Sequence, residues 1–518
     1  MLLADLVAVS AKVSATRSRL EKVAALAGLL KRLEPGEIAI AVNYLSGTIP
    51  QGRIGIGFAA VHRAREVPAA PAPTLGVFEV HDVFERIAHL SGPGSSTERQ
   101  GLLGQLLSRA TSDEQDFLAR LLVGGLRQGA LEGIMVDAIA SAASVSASSV
   151  RRALMFSGNA GAVAHAALTG GEAALGTFRL QLFHPVQPML AQTGESTEEA
   201  VQALGEAALE YKLDGARVQV HREGGDVRVF SREGNDVTVA VPEVVAFARG
   251  LPGRSVVLDG EAIALRRDGT PHPFQITMRR FGRKRQDLSA ALPELPLTPF
   301  VFDVLHADGA DLVDQPLAER ARTLDALVPE HARVPRLITS SADEAESFYA
   351  DALRVGHEGL MAKKLSSPYE AGRRGATWLK LKPAHTLDLV VLAAEWGSGR
   401  REGWLSNLHL GARDPATGSF VMLGKTFKGM TDAMLQWQTE WLLAHEISRD
   451  AYTVYVKPEL VAEIAFDSVQ ESPHYPGGMA LRFARVKRYR EDKLADEADT
   501  IDTVRKIFAK THGPGVKA

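Results

Sequence analysis

The hydrophobic period of the chain changes twice, and this limits its fold more than any other feature. From Met1 to about residue 178 apolar residues recur at three- and four-residue spacing, as in RLEKVAALAGLLKRL, which is a helical pattern rich in Ala, Leu, Glu and Arg. After about residue 183 the segments YKLDGARVQVHR and DVRVFSRE alternate apolar and polar positions between Gly, Asn and Asp turn signals, which predicts strands and hairpins. Near residue 385 a third texture begins, with LDLVVLAAEWG, SNLHLGARD, FVMLGKTF and LVAEIAF as short strands separated by turns, a pattern that suits a small barrel. A chain of 518 residues is also too long for one core. The reading is multidomain: an all-α part over 1–178, an α+β part over 179–384 and a strand-rich barrel over 385–518. A break at VPAAPAP, residues 67–73, reads as a linker or exposed loop between helical subsets.

Charge is nearly balanced, with 59 basic and 62 acidic residues, so a surface for nucleic acid has to arise from local segregation. The absence of cysteine excludes disulfides, iron–sulfur clusters and thiolate zinc sites, and fits a reducing cytoplasm. The start MLLADLVAVSAKV carries Asp5 and lacks a basic lead before a long apolar core, so no secretion signal is expected. No apolar run approaches membrane-spanning length, so no membrane partner is expected.

The sharpest local feature is Glu210-Tyr211-Lys212-Leu213-Asp214-Gly215-Ala216-Arg217, where a lysine ends a strand just before an Asp-Gly turn. A lysine amine can attack phosphorus to give a phosphoramidate if a nearby cation or a desolvated pocket lowers its pKa. Alone, K-x-D-G arises by chance in about one chain in ten of this length, and a solvent-facing lysine before a hairpin would explain it. Five further strings follow in order at the ends of predicted strands. They are Ser231-Arg232-Glu233-Gly234, Leu258-Asp259-Gly260-Glu261, Val301-Phe302-Asp303-Val304, Glu358-Gly359-Leu360-Met361-Ala362-Lys363 and Trp378-Leu379-Lys380-Leu381-Lys382.

With this ordered set the chain resembles the covalent nucleotidyltransferase superfamily, and within it the ATP-dependent DNA ligases of archaea, eukaryotes and some bacteria. The resemblance implies a helical DNA-binding domain, an α+β nucleotidyltransferase core and a C-terminal OB-fold barrel. It implies ATP as adenylate donor, magnesium, and nicked duplex DNA as the partner of a monomeric enzyme. By similarity Lys212 takes the AMP, Glu210 reads the adenine edge, Phe302 stacks on the purine and Glu261 binds the ribose. Arg217, Arg232 and Arg374 would contact the nucleotide or the 5′-phosphate of the nick. Lys380 and Lys382, two apart on a strand, should share a face and reach the α-phosphate. Glu358 is the first candidate carboxylate for the metal and Glu261 the second. Without the family match Phe302 would read as core, Glu261 and Glu358 as solvated acids, and Arg232 and Arg374 as exposed turn residues.

Three basic or glycine-rich segments lie outside that set. Leu481 to Lys493 interleaves basic residues with Phe483 and Tyr489, which suits a phosphate-facing strand but also an edge guarded by charge. In the resemblance its ending, Arg490 to Lys493, acts on pyrophosphate, which requires the barrel to close over the nucleotide through a hinge near residues 383–386 and later rotate toward DNA. The run Met278 to Arg285 is either a solvated patch or a contact to backbone phosphate. Ser91–Ser95 and Gly124–Gly129 offer backbone amides to phosphate or are plain turns. An RNA ligase or a capping-type guanylyltransferase remains an alternative, as does an inactive DNA-binding relative. A cysteine-bearing NAD-dependent relative is disfavoured, because no cysteine is present.

Overall fold

The helical pattern of the first third ends in short caps, and among the described residues the computed structural model places ten helices there, from Leu3–Ala15 to Ala160–Leu175. The structure describes residues 1–16, 18–52, 54–126, 132–281, 295–371, 374–383 and 385–512. Side chains of Ser18, Thr111, Ser146 and Asn159 each accept a backbone N–H from the first turn of the helix they precede. The apolar stripes meet in one core that includes Leu3, Leu26, Tyr44, Phe84, Phe117 and Val150. Residues 67–73 form an exposed loop between two helices of that same core, pinned by the Ala70 N–H to the Ala110 carbonyl at 2.8 Å. Ser91–Ser95 lies in the turn before helix Ser95–Ser108, whereas residues 127–129 of the second glycine-rich segment lie outside the described residues.

The middle third holds the strands β1 (Leu190–Thr193), β2 (Ala207–Tyr211), β3 (Ala216–Glu223), β4 (Asp226–Ser231), β5 (Ser255–Ala264), β6 (Leu297–Ala307), β7 (Ala310–Asp311), β8 (Arg336–Thr339), β9 (Leu360–Lys364) and β10 (Arg374–Leu381). They form two five-stranded sheets, ordered β1-β10-β9-β2-β8 and β4-β3-β5-β6-β7. Helices Thr197–Leu204 and Ala342–Arg354 bury the outer face of the first sheet, around Leu209, Ala362, Leu379 and Leu381. Helices Pro242–Gly250 and Leu317–Leu327 cover the second, around Val220, Val229, Leu258 and Val304. A smaller apolar cluster links the sheets through Met189, Val257, Leu305, Tyr369 and Trp378, and Met155 and Phe156 of helix Ala147–Ser157 enter it from the helical part.

The last third carries β11 (His385–Trp396), β12 (Leu405–Arg413), β13 (Phe420–Thr426), β14 (Glu446–Arg449), β15 (Thr453–Val456), β16 (Val461–Phe466), β17 (Ser468–Glu471), β18 (Met479–Arg482) and β19 (Arg485–Tyr489). The long strand β11 pairs with β12, β15 and β16, and β16 pairs with β19, wrapping an apolar interior in the manner of an OB-fold. Residues 383–386, expected to act as a hinge, join β10 to β11, and Ala384 among them is outside the described residues. Among the described residues no helix is long and apolar enough to cross a membrane.

The basic run at 278–285 is not a uniform surface patch. Arg280, on helix Phe274–Phe281, is only 1% exposed. It donates to Glu243 at 2.9 Å and to the carbonyls of Leu295 and Ala240, so packing claims this guanidinium rather than DNA. Residues 282–285 lie outside the described residues.

Arg320 and Asp303 form a second buried pair, fully enclosed, with guanidinium-to-carboxylate distances of 2.8 and 3.1 Å. The carbonyls of Gln315 and Ser367 accept from the same arginine at 2.6 and 3.1 Å, tying β6 to helix Leu317–Leu327 and to the segment after β9. Removing one partner strands a buried charge, so Asp303→Ala is expected to lower stability by about 3–5 kcal/mol in urea unfolding, and Arg320→Lys should not restore it. A loss below about 1 kcal/mol would contradict this role.

Candidate active site

Lys212 follows β2 directly, and its backbone is stitched to the start of β9. Its N–H reaches the Gly359 carbonyl at 2.8 Å and its carbonyl accepts from Glu358 N–H at 3.0 Å. Gly359 has φ +135°, and a Cβ there would meet the Leu381 carbonyl oxygen at 2.1 Å, so only glycine lets the strand pass this close. The register brings three charges together. Lys212 Nζ lies 2.5 Å from Glu358 Oε2, and Lys382 Nζ lies 2.7 Å from the same oxygen.

The electrostatics run against one expectation. Burial works to lower the pKa of Lys212, yet Glu358, Glu261 and Asp214 outweigh it and hold the ammonium above its ordinary value. Lys212 is therefore a protonated amine at neutral pH, not one already poised by a cation or a dry pocket. Burial would raise Glu358, but Lys212 and Lys382 pull it down to about 2. Burial lifts Glu261 to about 8 against the pull of Lys212 and Arg217, and lifts Asp214 to about 6 with Glu358 adding to the effect.

These groups line a cleft of about 680 Å³. One wall is aromatic: Phe302 on β6 and Trp378 on β10 stand edge to face with centroids 6.2 Å apart. Lys363 Nζ sits 4.6 Å from the Phe302 centroid and 4.2 Å from that of Trp378, and 2.5 Å from Glu210 Oε2. Glu210 thus enters the cleft as one half of a buried ion pair. Arg217 lies 5.4 Å from the Phe302 centroid. Its guanidinium is fixed by Asp259 at 3.0 and 2.6 Å, the Met189 carbonyl at 2.7 Å and the Tyr369 hydroxyl at 3.2 Å. It would meet a ligand as a pre-oriented donor.

The alternation expected on β10 is present. Trp378, Lys380 and Lys382 line the cleft, while Leu379 and Leu381 join the core on the other face. Arg232 lies at the exposed end of β4 on the cleft margin. Arg374 opens β10, and its side chain lies outside the described residues.

The barrel supplies the opposite wall through Lys428, Asp467, Arg482, Phe483 and Arg485. Arg482 reaches Asp214 at 3.4 Å and lies 4.9 Å from the Phe274 centroid, and Lys382 reaches Asp467 at 3.4 Å. Phe483 is half-exposed, with the left-handed φ of 57° that few side chains adopt. The expected pyrophosphate group is elsewhere. Arg490 pairs with Asp388 at 2.9 Å and Lys493 with the same residue at 2.6 Å, and neither lines the cleft.

Lys363, Trp378 and Asp214 were visible within the motif strings but carried no assigned role. Lys428 and Asp467 had no local signal, because only the docking of the barrel brings them to the cleft. Among the described residues no three His, Asp or Glu side chains cluster closely enough to cage a metal. The carboxylates of Asp214, Glu261, Glu358 and Asp467 do face one cavity rich in lysine and arginine. An aromatic wall beside several ammonium groups suits a planar base carrying phosphates.

Residues 188–382 match the ATP dependent DNA ligase domain, residues 401–493 the ATP dependent DNA ligase C terminal region, and residues 52–140 the DNA ligase N terminus. A probable DNA ligase of Anaeromyxobacter sp. (strain Fw109-5) is 61% identical over 512 residues, covering 98% of both chains. One from Sorangium cellulosum (strain So ce56) is 58% identical, covering 98% of this chain and 96% of that one. One from Mycobacterium sp. (strain KMS) is 56% identical, covering 98% and 99%. The solved structure Pmar-Lig_PreS3 superposes with a TM-score of 0.61 at 18% identity, covering 94% of this chain and 99% of that one.

Glu358 is one of the carboxylates that hold the Lys212 ammonium up, so Glu358→Gln should shift the pH profile of Lys212 toward an amine-selective reagent to lower pH. The check is peptide-resolved labelling across pH; a profile that stays put or moves upward would show that Glu358 does not govern this amine.

Proposed function

The chain belongs to the ATP-dependent DNA ligase family, and from that premise we propose how its own residues carry the reaction. The enzyme seals nicks bearing a 5′-phosphate and a 3′-hydroxyl in duplex DNA, using ATP and passing through lysyl-AMP and adenylated DNA. The observation that carries the residue assignment is the shared Glu358 oxygen, which sets Lys212 and Lys382 side by side under the aromatic wall.

In the first step the Lys212 amine gives up its proton and attacks the α-phosphorus. An N–P bond forms, the bond to the bridging oxygen breaks, and pyrophosphate leaves with that oxygen. Glu358, already at Lys212 Nζ, orients that nitrogen, and the proton passes to solvent, since a carboxylate whose pKa is held at about 2 is too weak a base to keep it. Lys380 and Lys382 neutralise the charge that builds on the phosphate oxygens. The purine lies against Phe302, its amino edge toward the carboxylate of Glu210, and Lys363 keeps that carboxylate in place. Glu261 receives a ribose hydroxyl, and Arg217, Arg232 and Arg374 meet the nucleotide or the 5′-phosphate.

In the second step an oxygen of the 5′-phosphate attacks the adenylate phosphorus and Lys212 leaves, recovering its proton. In the third the 3′-hydroxyl attacks the activated 5′-phosphorus and AMP departs. Magnesium, when bound, supplies charge neutralisation on the phosphate oxygens. Glu358 and Glu261 would be the carboxylates offered to it, oxygen donors that suit a hard cation.

We divide the labour as a helical DNA-binding part at 1–178, an adenylation part at 179–384 and an OB-fold part at 385–518. The enzyme works as a monomer in the cytoplasm and grips nicked duplex through backbone phosphate, so binding weakens steeply with salt. With α-labelled ATP and magnesium the protein is expected to retain an acid-labile covalent label. Lys212→Ala should lower labelling by more than about a hundredfold, since the nucleophile itself is removed. Full labelling of that variant would refute the assignment.

A further inference from the structure

We propose that Asp467 is a positioning residue that docks the barrel onto Lys382 and serves AMP transfer to DNA in preference to adenylation of the enzyme. The proposal rests on the reading of Lys382 as a phosphate-facing lysine. Asp467 lies between β16 and β17, where its N–H reaches the Arg482 carbonyl at 3.0 Å, so the acid and the arginine are presented side by side. Each crosses to the core. Asp467 Oδ2 lies 3.4 Å from Lys382 Nζ, and Arg482 lies 3.4 Å from Asp214. Gln275 adds a hydrogen bond to Gln470 at 3.0 Å. A barrel acid on a core base beside a barrel base on a core acid specifies one docking orientation, because a slid or rotated barrel would oppose like charges.

In that orientation Phe483, Arg482, Arg485 and Lys428 face the cleft, while Arg490 and Lys493, paired with Asp388 within the barrel, do not line it. A barrel engaged through Asp467 does not present its Arg490 end to a departing pyrophosphate. The Asp467 contact therefore belongs to the arrangement used once pyrophosphate has left. Lys382 is then held from two sides, by Glu358 of the core at 2.7 Å and by Asp467 of the barrel. Docking of the barrel thus adds a second acidic partner to an ammonium that Glu358 alone holds otherwise.

The test uses the full-length protein and measures two rates in single turnover: lysyl-AMP formation from ATP and magnesium, and joining of a labelled nick by the preformed lysyl-AMP enzyme. In Asp467→Asn the ratio of joining to adenylation is expected to fall about fivefold, the scale of one partly exposed ion pair. Asp467→Glu should recover most of that ratio, and Asp467→Lys, which repels Lys382, should lower it further. An unchanged ratio in Asp467→Asn, an equal fall in both rates, or no recovery in Asp467→Glu would overturn the proposal. Lys382→Ala separates the premise from the proposal. If it adenylates and joins at the unmodified rate, the reading of Lys382 fails; if it is impaired while Asp467→Asn is not, the docking role alone fails.

Discussion

One carboxylate oxygen, Oε2 of Glu358, receives the ammonium groups of both Lys212 and Lys382. Three charges gathered in a partly buried cleft are costly to desolvate unless each finds its partner, and that condition reaches well beyond the site. The Lys212 backbone has to run within hydrogen-bonding distance of β9, residue 359 has to be glycine, and β10 has to deliver a lysine from its far side. A single sheet, ordered β1-β10-β9-β2-β8, holds these strands in register, and the helices outside it bury the face that the cleft does not use.

Around this centre the polar groups are tied rather than free. Asp259 on β5 holds Arg217 on β3, and the Tyr369 hydroxyl donates to Asp259 at 2.7 Å while accepting from the Met189 N–H at 3.0 Å. Lys363 and Glu210 close a second pair beneath the aromatic wall. Such arrangements keep donors at fixed positions before a ligand arrives, which is how electrostatic stabilisation of a phosphoryl-transfer transition state avoids reorganisation cost.

Much of this was legible in the chain. Period changes divided helix from strand, the ordered strings marked strand ends, and alternation put Lys380 and Lys382 on one face with Leu379 and Leu381 behind. Features that depend on pairing across space were not legible. Arg280 sits in a basic run, yet Glu243, 37 positions earlier, draws it inside. Arg490 and Lys493 are taken by Asp388 on a neighbouring stretch of barrel, and the pKa of Lys212 is set by acids from two other segments and the turn beside it. Local sequence cannot report the sign of such sums, because each depends on which strand lies alongside.

The apolar cluster behind the cleft has its own consequence. Met155 and Phe156 of the helical part pack with Met189, Tyr369 and Trp378, and the Gln187 N–H binds the Met155 carbonyl at 2.9 Å. The rear of the aromatic wall is thus built partly from the helical part of the chain. These pieces are not interchangeable modules on a string. A core severed after residue 178 would lose Met155 and Phe156 and leave the apolar cluster behind Trp378 open to water.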